Sequence, residues 1–200
     1  MPVENYSKMA EDKVEYPQKQ DDNNVYEFTP EELALIEKHV AKYPTRQSAV
    51  MPALWIAQEK WNWLPQGAIQ LVADTLGLSF AHVYGVATFY TMYLKENRAK
   101  YLLEICTCFT CGICGGQELY EYAKEYLKVD ENGVSPDKMF YLREAECLGA
   151  CDTAPVLQFH NRTIVHKVDK NKLQQIIENA RKGELPQYEP VPLYDQSIID

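Results

Sequence analysis

The chain has 200 residues, a net charge of −9 and a hydrophobic fraction of 46%. A chain of this length buries roughly 70% of the surface that its unfolded form exposes, so a folded core is expected. The negative charge argues against a nucleic-acid-binding protein and against docking on anionic lipid. No apolar run reaches the ~18 residues of a membrane span. Residues 1–16 lack the features of a signal or transit peptide, which predicts a cytosolic protein or a mature form.

The first half of the chain predicts a small helical bundle over residues 29–97, preceded by a polar, acidic and flexible arm over residues 1–28. Thr29 is the expected N-cap of the first helix, because Pro30 follows it and Glu32 completes a capping box. Pro44 is expected to end this helix. Further helices are predicted over residues 46–63, 65–76 and 79–87.

The second half predicts a small α/β domain over residues 98–183. Strands are predicted at Tyr101–Cys106, Met139–Ala145, Val156–Phe159 and Thr163–His166, and helices over residues 117–128 and from Asp169 to Arg181. The order β-α-β-β-β-α indicates helices packed against a mixed sheet, so the whole chain is expected to have an α+β fold. The proline-containing tail, residues 184–200, is expected to be extended along a partner.

All six cysteines follow residue 105, in two clusters that each come after a predicted strand. The first cluster reads CTCFTCGIC and spans Cys106–Cys114, and the second reads CLGAC and spans Cys147–Cys151. In a chain without the features of a small secreted domain, such clusters are typical of metal-binding or catalytic sites. Four thiolates brought to one place bind zinc or an iron–sulfur cluster.

Spacing alone leaves several sets of ligands open. One set pairs Cys106 and Cys111 with Cys147 and Cys151. A second set joins Cys106, Cys111, Cys114 and Cys147 in the spacing of plant ferredoxins. A third begins like a bacterial 4Fe–4S motif with Cys108, Cys111 and Cys114, but no Cys-Pro follows at the expected distance. The C-x-x-C pairs are also compatible with a disulfide oxidoreductase. The four histidines are interpreted as surface or hydrogen-bonded side chains, and these are His39, His82, His160 and His166.

The cysteine segments ICTCFTCG and REAECLGACDTAPVLQF resemble those of the thioredoxin-like 2Fe–2S ferredoxin subunit of complex I, NADH:quinone oxidoreductase. The segments TRQSAVMPALWIAQEKWNWLP and HVYGVATFYTMY resemble the helical N-terminal region of the same family. The resemblance covers roughly residues 29–182. It implies a thioredoxin-like domain with one 2Fe–2S cluster on Cys106, Cys111, Cys147 and Cys151. Cys108 and Cys114 stand where family members have other residues, and they are interpreted as buried thiols.

The resemblance also implies a role in electron transfer within a larger complex. The resemblance assigns FMN and NADH to a larger partner subunit, and this chain has neither a G-x-G-x-x-G motif after a strand nor a P-loop. Further iron–sulfur subunits would be partners, and the complex would lie on the cytoplasmic face of the inner membrane, or on the matrix side in mitochondria. The chain would then be one part of an enzyme, with no catalysis of its own. Alternatives are the same role in an NAD-linked hydrogenase or formate dehydrogenase, and a zinc-stabilised interaction module.

The surroundings of the cluster are predicted from sequence order. Glycines near the cysteines are expected to let the backbone approach sulfur, and these are Gly112, Gly115, Gly116 and Gly149. The helix beginning near Gly116 is expected to aim its positive end at the site. Phe109, Leu148 and Val156 are expected to limit access of water.

Overall fold

A computed structural model describes residues 24–187. Within this part the chain divides into two compact units, and the division lies between Glu96 and Asn97. Most of the expected N-terminal arm, residues 1–23, and most of the expected tail, residues 188–200, lie outside the described residues. None of the helices in the described part is long and apolar enough to cross a membrane.

The first unit is built from four α-helices within the described residues. They are α1 (Pro30–Val40), α2 (Val50–Trp61), α3 (Gln66–Leu76) and α4 (Phe80–Phe89), with a 3-10 helix at Arg46–Ala49 before α2. The capping box of α1 is formed, since the Glu32 amide donates to Oγ1 of Thr29 over 3.3 Å and the Thr29 amide donates to Glu32 over 2.7 Å. Buried apolar side chains from all four helices form one core.

Several boundaries in this unit differ from the sequence prediction, among them the end of α4, which lies at Phe89 rather than residue 87. The helix α1 ends at Val40, before Pro44 is reached. The single helix predicted over residues 46–63 is a 3-10 helix followed by α2. Proline has no amide hydrogen, so Pro52 fits best in the first turn of an α-helix, and α2 begins two residues before it.

The second unit contains a four-stranded mixed sheet. Its strands are β1 (Tyr101–Cys106), β2 (Phe140–Ala145), β3 (Leu157–Phe159) and β4 (Thr163–Val165), in the order β2-β1-β3-β4. The strand β1 pairs in parallel with β2 and antiparallel with β3, and β3 pairs antiparallel with β4. Its helices are α5 (Phe109–Ile113), α6 (Gly116–Leu127) and α7 (Lys170–Arg181), and a 3-10 turn spans Cys151–Thr153.

One face of this sheet carries the core of the second unit. Apolar side chains of the four strands pack there with those of α6 and α7. On β1, Tyr101, Leu103 and Ile105 belong to this core, so the intervening Leu102, Glu104 and Cys106 project from the opposite face because neighbouring strand residues alternate. Cys106 is the last residue of β1, which places the first cysteine at the edge of the folded core.

Candidate metal centre

Both cysteine segments leave the sheet at the same edge. Cys106 ends β1 and Ala145 ends β2, and these two residues are partners in the parallel register. The amide of Thr107 donates to the carbonyl of Ala145 over 3.2 Å, which extends the pairing by one residue. Because parallel strands end at one edge of a sheet, the chain after β1 and the chain after β2 enter the same region. The fold therefore brings together two segments that lie far apart in sequence.

The first segment holds two thiols in the protein interior. Cys106 and Cys111 are each only 2% exposed, and they pack with the buried side chain of Val156. The amide of Cys106 donates to the carbonyl of Val156 over 3.1 Å, and its thiol lies 3.5 Å from the carbonyl oxygen of Glu146. Cys111 lies on the short helix α5. This half of the site is thus made from regular, buried structure.

Cys108 and Cys114 stand at the two ends of α5, where they are the N-cap and C-cap residues. Both are exposed, so the interpretation of these two residues as buried thiols is wrong. A five-residue helix with one buried position has room for only Cys111 on its inner side.

The second segment follows β2 and presents its two cysteines to solvent. Cys147 lies in the loop and Cys151 begins the 3-10 turn, and both are exposed. Gly149 between them has a φ of 74°, a left-handed conformation that glycine adopts without steric cost. Leu148 and Ala150 are partly buried against the cluster of Cys106, Cys111 and Val156. The loop is therefore attached to the buried half of the site by its apolar side chains.

Interactions among the thiols connect the four predicted ligands. Burial raises the pKa of Cys111 to about 11; a backbone hydrogen bond from Val156 opposes this rise, and the neighbouring Cys106 and Cys151 add to it. A hydrogen bond with Cys147 raises the pKa of Cys151, whereas the Thr110 side chain donates a hydrogen bond that lowers it. Cys106 thus lies beside Cys111, and Cys147 beside Cys151, with Cys151 close enough to act on the first pair.

This arrangement fits a two-iron cluster. The thiols are arranged in two neighbouring pairs. Ligands of a 2Fe–2S cluster are divided in this way, with two on each iron, whereas a structural zinc ion takes four ligands at one point.

Gly116 is required where α6 begins beside the cysteines. A Cβ atom at this position would lie 2.5 Å from the carbonyl oxygen of Cys106 and 2.8 Å from that of Cys111. The helix begins at Gly116, one residue before the start predicted at residue 117, and glycine is needed there because two cysteine carbonyls crowd its backbone. At Gly149 nothing lies within 4 Å of an added Cβ, so the need for glycine there comes from its backbone conformation alone.

The apolar cover of the site differs from the prediction at one position. Val156 is buried and Leu148 is partly buried, as expected for side chains that limit access of water. The expectation for Phe109 is wrong, because its side chain is 79% exposed in this chain. Ile113, one helical turn later on α5, is 73% exposed. Residues four apart on a helix share a face, so α5 presents an apolar pair outward.

Sequence reasoning missed a buried ion pair on the same side of the sheet as Cys106. Glu104 is 6% exposed, and one of its carboxylate oxygens accepts hydrogen bonds from Arg143 over 2.6 and 2.8 Å. Its other oxygen, Oε2, is buried without a hydrogen-bond partner among the described residues. The signal was a single acidic residue inside the apolar strand YLLEIC, since a carboxylate in a buried strand requires a cationic partner.

Comparison with known proteins identifies the family of the chain. A family model described as thioredoxin-like 2Fe–2S ferredoxin matches residues 36–181. NADH-quinone oxidoreductase subunit 2 of Thermus thermophilus is 34% identical over 158 residues, which cover 78% of this chain and 87% of that protein. A subunit of the NADH-quinone oxidoreductase of Rhizobium meliloti is 37% identical over 153 residues, which cover 74% of this chain and 88% of that protein.

Among solved structures, an NAD+-reducing NiFe-hydrogenase in its air-oxidised state superposes with a TM-score of 0.55 at 16% identity. The match covers 66% of this chain and 23% of that chain, and at this identity it is a likeness of fold alone. The predicted α+β fold, with helices followed by a thioredoxin-like domain, is confirmed, and so is the 2Fe–2S cofactor expected from the sequence. The chain belongs to the thioredoxin-like 2Fe–2S ferredoxin family.

Proposed function

We propose that Cys106, Cys111, Cys147 and Cys151 ligate one 2Fe–2S cluster, through which the chain carries single electrons as a subunit of an NADH-oxidising complex. The observation that carries this proposal is the meeting of two thiol pairs at one sheet edge, in a chain of this family. When bound, the cluster accepts and donates one electron at a time. The protein supplies the thiolates, the surrounding dipoles and the exclusion of water.

The two halves of the site contribute differently to cluster binding. Ligation requires thiolates, so binding releases the protons that the cysteines hold. Cys111 holds its proton firmly, because burial raises its pKa to about 11. The backbone hydrogen bond from Val156 and the side-chain hydrogen bond from Thr110 favour the thiolates of Cys111 and Cys151 respectively. Hydrogen bonds to ligating sulfurs also raise the reduction potential of a cluster, since they stabilise negative charge.

The names of the relatives support a role beside partner subunits. The two relatives described above carry the name of an NADH-quinone oxidoreductase subunit, and this chain covers 87% or more of each. We assign NADH and FMN to a larger partner subunit, with which this chain exchanges single electrons. Further iron–sulfur subunits complete the path, and the complex is peripheral to the inner membrane. The chain is thus one component of an oxidoreductase and does not oxidise NADH alone.

A second candidate is the same role in an NAD+-reducing hydrogenase. The observation that favours it is the structural likeness to such an enzyme, with a TM-score of 0.55. An NAD-dependent formate dehydrogenase would use the chain in the same way. Co-purification from the source organism distinguishes these, because a quinone-reducing complex brings membrane subunits and a hydrogenase brings a nickel-containing subunit.

The first experiment measures iron and acid-labile sulfide per chain in anaerobically purified protein, with an EPR spectrum after reduction by dithionite. We expect about two irons and two sulfides per chain, and the signal of a one-electron-reduced 2Fe–2S cluster. Zinc in place of iron, with no signal after anaerobic reconstitution, would establish the zinc-stabilised module instead. A colourless and metal-free protein would support a disulfide oxidoreductase.

Substitution of single cysteines then tests the ligand set. We expect Cys147→Ala and Cys151→Ala to lose the cluster, and the matched Cys108→Ala and Cys114→Ala to keep it. Retention in Cys151→Ala together with loss in Cys114→Ala would assign the ligands to the plant-type set.

A further inference from the structure

A side chain outside the cysteine segments contacts the turn that carries Cys151. His166 lies in the connection between β4 and α7, and its Nδ1 lies 2.6 Å from Oγ1 of Thr153. Thr153 is the last residue of the 3-10 turn that begins at Cys151, and it is buried. This contact joins a histidine distant in sequence to the exposed half of the candidate site.

The partners of Thr153 determine which atom donates. Its Oγ1 also lies 3.1 Å from the carbonyl oxygen of Ala150, which only accepts hydrogen bonds. The Ala150 carbonyl also accepts from the Thr153 amide over 3.1 Å. A hydroxyl carries one hydrogen, so both contacts of Oγ1 are hydrogen bonds only if Oγ1 donates to Ala150. Thr153 then accepts from His166, and Nδ1 of His166 carries the hydrogen. This tautomer satisfies both contacts at once, so the imidazole completes the hydrogen bonds of the turn.

Hydrogen bonds to α7 and to residues 153–155 hold the backbone of residues 166–168. Its carbonyl accepts a hydrogen bond from Nζ of Lys172 on α7 over 3.0 Å. The amide of Lys167 donates to the carbonyl of Thr153 over 2.9 Å, and the amide of Val168 donates to the carbonyl of Pro155 over 2.9 Å. Val168 belongs to the buried core of the second unit. The ring is therefore held at a set distance from the Cys151 turn.

We propose that His166 is a positioning residue for the cluster: its ring donates to Thr153 and so holds the turn that presents Cys151 to iron. The inference rests on the proposed function, since it takes Cys151 as a ligand. Residues that orient metal ligands typically change metal affinity by 10–100-fold when they are removed. His166 acts through one further residue, so we expect an effect at the lower end, about tenfold.

The test is the rate at which an iron chelator removes the cluster from the anaerobically reconstituted full chain. His166→Leu removes the donor and should release iron about tenfold faster. His166→Asn keeps an N–H close to the position of Nδ1 and should restore both the wild-type rate and the wild-type EPR spectrum of the reduced protein. The matched control is His82→Leu, which removes a ring bonded to Gln47 in the first unit and should leave the rate unchanged.

A second pair of variants keeps the test decisive if His166→Leu does not fold. Thr153→Val removes the hydroxyl with almost no change in shape and should release iron faster, whereas Thr153→Ser should not. The double variant of His166→Leu and Thr153→Val should be no faster than Thr153→Val alone, because both changes remove one interaction.

Three results would overturn the inference. The first is an equal rate of iron release in the wild type, His166→Leu and Thr153→Val. The second is iron release from His166→Asn as fast as that from His166→Leu, and the third is an additive effect of the two changes in the double variant. Failure of the proposed function is distinguishable, because a wild-type chain that takes up no iron and sulfide would show it before any chelator is added.

Discussion

The two cysteine segments differ in how the protein holds them. Cys106 and Cys111 are buried and lie on a strand and a helix, so the core itself fixes their positions. Cys147 and Cys151 are exposed on a loop and a short turn, and apolar contacts and hydrogen bonds from neighbouring loops fix them. The first pair of cysteines is thus part of the folded core, whereas the second pair lies on a loop that packs against the core. Two predictions test this difference, and two further ones test the surface beside the first segment and the pH dependence of the second unit, in order from the largest effect to the smallest.

The first prediction concerns the reactivity of the thiols in cluster-free protein. The thiolate is the reactive form of cysteine. Because burial raises the pKa of Cys111 to about 11 from an ordinary value of 9.0, its thiolate fraction at pH 8 is about 100-fold lower than that of an ordinary thiol. Iodoacetamide should therefore modify exposed Cys147 at least 100-fold faster than Cys111, as measured by peptide mass spectrometry. In urea the two modification rates should become similar. Similar rates in the folded protein would instead show that Cys111 is accessible to the reagent.

The second prediction compares a glycine from each segment. Gly116→Ala places a Cβ against the carbonyls of Cys106 and Cys111, so it should lower the free energy of unfolding by about 3 kcal/mol. Gly149→Ala meets no atom within 4 Å and costs only the strain of its left-handed backbone, about 1 kcal/mol. Urea denaturation of the cluster-free protein measures both. Equal losses would mean that the second segment is as tightly packed as the first.

The third prediction uses the outward apolar pair on α5. Phe109→Ser combined with Ile113→Ser should change the free energy of unfolding by less than about 0.5 kcal/mol, because both side chains are exposed. The buried Leu119→Ala on the neighbouring helix α6 is the control and should cost about 2–5 kcal/mol. Exposed apolar side chains beside a redox site are typical of a surface that meets a partner. The double change should therefore weaken co-purification with the proposed flavin-binding partner, and unchanged co-purification would exclude this surface as a contact.

The fourth prediction has the smallest effect and concerns pH. Burial lowers the pKa of His160, and the Leu102 amide donates to its Nδ1 over 3.4 Å, which requires an unprotonated nitrogen. The folded state thus binds fewer protons than the unfolded state, so the free energy of unfolding should fall as the pH falls below about 6.5.

His160→Asn should flatten this dependence. Asparagine tolerates the φ of 52° at this position, so the variant should match the wild type near pH 8. Denaturation curves of the cluster-free protein at several pH values provide the measurement. An equal slope in both proteins would assign the dependence to other groups.

Local sequence signals predicted most of the helices and strands. Thr29, Ser79 and Asp169 each cap a helix that begins at the next residue, as their hydrogen-bonding side chains indicated. The apolar run YLLEIC forms the strand Tyr101–Cys106 with the predicted bounds. Each of these features depends on residues close together in the chain, which is why the sequence carries a clear signal for them.

The features that depend on distant residues were not predictable in the same way. The helix α5 was missed because five residues, one of them Gly112, show no helical period. The order of the sheet follows from pairings such as that of Cys106 with Ala145, and no local pattern encodes it. The exposure of Phe109 depends on what covers it, which residue type alone does not reveal. The ligand set was also left open by spacing, and its choice came from the resemblance of the flanking residues.

The parallel pairing of β1 with β2 affects the order in which a ribosome produces the site. Cys106 and Cys111 are synthesised first, and the strand that pairs with β1 follows only after residues 107–139. At roughly 5–20 residues per second, synthesis of that stretch takes roughly two to seven seconds. During this interval the nascent chain offers Cys106 and Cys111 without Cys147 and Cys151, so the proposed set of four ligands is incomplete. On that ligand set, a two-iron cluster binds only after the second pair has been synthesised and the sheet has formed.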